Sequence, residues 1–197
     1  MTATTTWTIL DRAYAALRDT TAALTAADLD RATPCVEWNV AQVLQHSAGD
    51  QLAFASAITG QGGPTEDPFA PSGILAGTPV DLVESALTAS AAAFATVDPS
   101  GTTPTPLPHG ALPAATAAGA AALDAGVHAW DVAVATGQRS PLDDDLAAQL
   151  LPVARAIVEP LRQYGAYVPA LTPGEHDGAA AHLLRYLGRD PHWTPES

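Results

Sequence analysis

Lysine is absent from the chain, and its eight basic residues are all arginine. Against them stand 21 acidic residues, for a formal charge of -13 that repels nucleic acid phosphates and anionic lipid headgroups; neither nucleic acid nor a membrane surface is an expected partner. Cysteine occurs once, at Cys35, which rules out an internal disulfide and fits a reducing, cytoplasmic setting. No unbroken run of about 20 apolar residues is present, as a membrane span requires, and MTATTTWTILDRAYAAL lacks the basic region, apolar run and cleavage site of an export signal. A G-x-S-x-G elbow, a P-loop and a dinucleotide-binding glycine pattern are also missing, which sets aside serine-hydrolase and nucleotide-dependent chemistry.

What remains is helical almost throughout. The 197 residues suit one domain, large enough to bury roughly 70% of the unfolded surface. Trp7, Leu10, Tyr14, Leu17, Thr21 and Leu24 recur at steps of three and four, the stripe of an amphipathic helix. Asn39 offers an N-cap to a second helix with the stripe Val40, Leu44, Ala48, Gln51, Ala55 and Ile58, stopped by Gly60. Residues 60–77 read as loop. Thr78-Pro79-Val80-Asp81 has the form of a capping box opening a third helix, and Ser140-Pro141-Leu142-Asp143 repeats that signal before a fifth. Between them, VDPSGTTPTPLPHGALP is too rich in proline for a helix and suits a small hairpin before a fourth helix from Pro113 to Thr136. A short helix over about 176–187 closes the pattern. The fold class expected is all-α: a four-helix bundle with additions, as one domain over 1–197, the bundle over about 4–165 and a C-terminal helix and tail over 166–197.

Asp124 and His128 lie four residues apart on the fourth helix, side by side on one face. With His46 from the second helix they make two imidazoles and a carboxylate, a usual protein complement for a catalytic zinc site. Asp131 and Asp50 each lie about one turn beyond a histidine, placed to orient an imidazole N–H. Two readings compete: solvated polar faces, or faces that line a cleft and converge on a metal. Cys35 is read as a small structural residue, and His109 as a turn residue in a loop within reach of that cleft. Trp38 and Trp130 are read as core anchors. Gly126 implies a close approach of another helix or of ligand.

The segments TPCVEWNVAQVLQH, VHAWDVAVATGQ and LLRYLGRDPHW together resemble an actinobacterial family related to the metal-binding domain of mycothiol-dependent maleylpyruvate isomerases, within the DinB-like superfamily. The resemblance implies a DinB-like four-helix bundle that holds a divalent metal on His46, Asp124 and His128, with Asp in place of the isomerase's Glu. Zinc is the first choice, with nickel and iron as alternatives, and mycothiol or another small thiol would act on an electrophilic substrate. It implies thiol-dependent transfer or isomerisation; a metal-binding or sensor module without catalysis, and a bundle that has lost its metal, are the alternatives. The isomerase carries a second, C-terminal domain, and the segment after the fifth helix is too short for an equivalent, so isomerase activity itself is not expected. The Ala-rich helices also offer a face for homodimer pairing.

Overall fold

The computed structural model describes residues 7–195; the first part of the expected bundle, 4–6, lies outside the described residues. Helix α1 (Thr8–Ala22) buries Leu10, Ala13, Tyr14, Leu17 and Thr21, the side that the three-and-four spacing picks out. Asn39 caps α2 (Val40–Thr59), accepting from the Gln42 N–H while the Gln42 side chain returns to the Asn39 N–H, and Gly60 ends the helix in the left-handed conformation, φ 72°. Thr78 accepts from the Asp81 N–H to open α3 (Pro79–Phe94), with Pro79 in the first turn, where its missing donor is not needed. Strands β1 (Thr102–Thr103) and β2 (Leu112–Pro113) form the small antiparallel hairpin and lead into α4 (Ala114–Ala135). Then come α5 (Asp144–Gln163) and α6 (Ala179–Tyr186).

Helices α1, α2, α3 and α4 form a square, α4 packing on α1 and α2 and α3 closing the opposite side. Helix α5 lies against α4 and α1 from outside, and α6 against α5. Helix α4 is therefore enclosed. Eleven of its 22 residues are alanine, and this thinness lets neighbours approach from several directions. Among the described residues no helix is long and apolar enough to cross a membrane.

Three local expectations are corrected. The cap of α5 is Asp143, which accepts from the Leu146 N–H, whereas Ser140 accepts only from Leu142 in the preceding turn. The final helix starts at Ala179, because Asp177 folds back on the Gly174 N–H and on Arg185. The close approach assigned to Gly126 is absent too: a side-chain carbon there would meet neighbours at 3.5 Å and beyond, an ordinary contact.

Candidate metal centre

The polar residues of α4 do not face solvent. Asp131 is fully buried, His128 and His46 are each only 7% exposed, and Asp124 is half-buried between them, so the solvated-face reading fails. Enclosure of α4 explains the outcome: a face opposite its apolar stripe still meets α2. His128 Nε2 lies 3.4 Å from Asp124 Oδ1, and His46 Nε2 lies 3.9 Å from the same oxygen. The two rings stand perpendicular, with centroids 4.9 Å apart.

The remaining polar atoms of the trio are held from behind. His46 donates Nδ1–H to the Pro68 carbonyl at 2.9 Å, and His128 donates Nδ1–H to Asp131 Oδ2 at 2.9 Å, so both Nε2 atoms are left to face Asp124. Asp124 Oδ2 accepts from Ser47 at 2.8 Å and from Gln51 Nε2 at 2.9 Å, which leaves Oδ1 toward the imidazoles. Gln51 in turn accepts from Tyr14, whose hydroxyl also meets Ser90, tying the carboxylate to α1 and α3. Asp131 is gripped by Arg189 through both oxygens, and Cys35 Sγ sits 3.3 Å from Asp131 Oδ2. Asp50, the other acid paired with a histidine by spacing, lies on the Nε2 side of His46 at 3.7 Å; the His46 Nδ1–H goes to Pro68.

These surroundings separate the two imidazoles. Burial and the neighbouring His128 push His46 down to about 4, so it is neutral at pH 7. Burial also opposes charge on His128, but Asp131, Cys35 and Asp124 outweigh it and push the group up to about 10. Burial alone would raise Asp131, yet the Arg189 guanidinium and the His128 hydrogen bond hold it well below the usual carboxylate range. Asp50 is raised by burial and by the Asp124 charge beside it.

The donor set fits a cation. Ligand bonds of 2.0–2.2 Å in a tetrahedral arrangement place neighbouring ligand atoms about 3.3–3.6 Å apart. The three atoms here lie within 4.8 Å of one another, with 3.4 and 3.9 Å for two of the pairs.

Aromatic rings close on His46, Trp38 at 4.5 Å and Phe69 at 5.3 Å between centroids. Trp38 thus packs on a site residue as well as on the core. Phe69 and Pro68 belong to the 60–77 loop, whose seat on α2 depends on Gly49: a Cβ there would meet Pro68 Cγ at 2.8 Å. Gly49→Ala is accordingly expected to cost about 1–3 kcal/mol by overpacking. Urea denaturation measures it, and an unchanged midpoint would show that the loop moves without penalty. The hairpin bearing His109 leads into α4 at its N-terminal end, ten residues before Asp124.

Sequence reasoning brought His46, Asp124 and His128 together but missed Ser47, Gln51, Pro68 and Arg189. Gln51 carried a usable signal, a polar residue on the apolar stripe of α2; the Pro68 carbonyl carried none, because backbone contacts leave no mark on residue type.

Comparison with known proteins bears on the same region. The family model described as "Mycothiol maleylpyruvate isomerase N-terminal domain" matches residues 10–133, which span α1 to nearly the end of α4 and include all three proposed ligands. The chain belongs to this family. Two relatives of this family member are uncharacterised proteins from Mycobacterium tuberculosis, strains CDC 1551 / Oshkosh and ATCC 25618 / H37Rv. Each is 35% identical over 131 residues, covering 65% of this chain and 65% of its own length. The chain thus spans just under two thirds of the curated relatives it matches. The crystal structure of a histidine-to-alanine mutant of mycothiol-dependent maleylpyruvate isomerase has the same fold, with a TM-score of 0.63 at 16% identity over 93% of this chain and 89% of that one.

Proposed function

We propose that this family member binds one divalent metal ion, zinc before nickel or iron, on His46, Asp124 and His128, and uses it to activate a small thiol for transfer to an electrophilic carbon. The carrying observation is the convergence of the three ligand atoms, each with its other polar atom engaged elsewhere. Mycothiol is the first thiol to try, because the isomerase of the same fold is mycothiol-dependent. A divalent metal in this position supplies a Lewis acid that shifts a thiol toward thiolate at neutral pH. The chain's own residues do the rest: Pro68 and Asp131 fix the rings, Ser47 and Gln51 aim the carboxylate, and Trp38 and Phe69 cover His46 from solvent.

Elemental analysis of protein purified without chelator, followed by incubation with mycothiol and a panel of electrophiles, tests the reading in two steps. Stoichiometric zinc with thiol-dependent turnover supports it. A bound metal without turnover on any electrophile would leave a metal-binding module, and absence of zinc, nickel and iron alike would end the proposal.

A pH dependence follows. His128, at about 10 in the metal-free chain, holds a proton at pH 7 that must leave before Nε2 can ligate, whereas His46, at about 4, has none to lose. Affinity is therefore expected to rise with pH, by about tenfold per unit between pH 6 and 8, with about one proton released per ion. Chelator competition across that range measures it; a flat profile would mean that His128 gives up no proton when the ion binds.

A further inference from the structure

We propose that Arg189, in the segment after α6, is a positioning residue for the metal centre: it clamps Asp131, and Asp131 sets the His128 ring. The proposal rests on the metal reading above. Arg189 Nε donates to Asp131 Oδ1 at 2.9 Å, and Nη2 donates to Oδ2 at 2.8 Å and to Cys35 Sγ at 3.2 Å. A guanidinium fork on both oxygens fixes the plane of a carboxylate, which a single bond does not. The same Oδ2 accepts the His128 Nδ1–H, so the plane of Asp131 decides where the far side of the imidazole points, and Nε2 faces Asp124 Oδ1.

Burial argues that this arrangement is more than a surface tie. Asp131 is wholly enclosed and the Arg189 side chain is 11% exposed. Placing a charge there from a tail is costly unless each donor and acceptor is met. The backbone aims the residue: Gly188, at φ 81°, ends α6 in the left-handed conformation, and the Arg189 N–H returns to the Leu184 carbonyl at 2.8 Å, turning the side chain back toward α4. Helix α6 is itself fastened to α5 where Asp144 Oδ1 accepts from the Ala180 N–H. The three ligands lie inside the span matched by the family model and the clamp lies outside it, so the centre is assembled from two separate stretches of chain.

The test compares zinc affinity, by chelator competition, for wild type, Arg189→Gln, Arg189→Lys and Arg185→Gln. Arg185 ties the tail to Asp177 at 2.7 Å without contact to Asp131, so its variant controls for general loosening of the tail. Arg189→Gln is expected to weaken zinc binding by about 10–100-fold, the usual range for a group that orients a metal ligand. Arg189→Lys, which keeps the charge without the fork, is expected to lose part of that, and Arg185→Gln to stay within about twofold of wild type. In the metal-free proteins, the His128 Nδ1–H signal in nitrogen-edited NMR should exchange slowly in wild type and in Arg185→Gln, and quickly in Arg189→Gln. If Arg189→Gln fails to fold, Arg189→Lys carries both comparisons. Wild-type affinity in the Arg189 variants, equal loss in Arg185→Gln, or a protected His128 N–H without Arg189 would each overturn the clamp. If wild type takes neither zinc, nickel nor iron, the metal reading fails and the NMR comparison alone decides the role of Arg189.

Discussion

His128→Ala is expected to bring bound zinc from about one ion per chain down to background, with helical content kept. Three protein ligands are the working minimum for a catalytic zinc site, and this substitution leaves one imidazole and one carboxylate. Alanine is the strongest helix former, so α4 persists. Asp131 keeps its partners Arg189 and Cys35, and Asp124 keeps its hydrogen bonds from Ser47 and Gln51. Metal content by mass spectrometry of elements, beside circular dichroism, checks both halves. A variant that still carries stoichiometric zinc would show that the ion sits elsewhere. His46→Ala should reproduce the result from the other helix.

Asp131→Ala should act on stability as strongly as His128→Ala acts on metal. It removes the acceptor of a buried ion pair and leaves the Arg189 guanidinium enclosed with only the Cys35 sulfur, a change that costs about 3–5 kcal/mol. Replacing both members, as Asp131→Leu with Arg189→Met, should recover most of that loss, because apolar side chains of similar volume often match or exceed a buried ion pair. The recovered protein should nonetheless bind zinc poorly, since His128 Nδ1 has lost its acceptor. Urea denaturation and chelator competition on the three proteins separate the effects. A double variant as unstable as the single would mean that shape, and not unpaired charge, controls this part of the core.

The fold was legible because its signals are local. Asn39 and Thr78 cap the helices they were expected to cap, and the proline-rich stretch forms the hairpin it suggested. At Ser140 the signal misled, since two residues able to cap stand three apart and only packing selects Asp143. The site was legible in part. Spacing placed Asp124 beside His128, but periodicity left their face open between solvent and a cleft. A helix bounded on one side presents an apolar stripe, whereas α4 is bounded on nearly all sides, and its alanines carry no record of which neighbour lies where. Arg189 was hidden for a related reason: a charged residue in a short tail resembles any solubilising group until the chain's return path is known.

Enclosure of α4 also divides the protein into parts that change at different rates under selection. An axle in which nearly every residue is confined accepts few replacements, so the trio it carries is inherited as a block. The surrounding pieces that touch the centre, the 60–77 loop through Pro68 and Phe69 and the tail through Arg189, are joined to it by a handful of bonds, and an exchange that keeps the partner of Asp131 leaves that axle intact. New chemistry among relatives of this architecture is therefore expected at the rim.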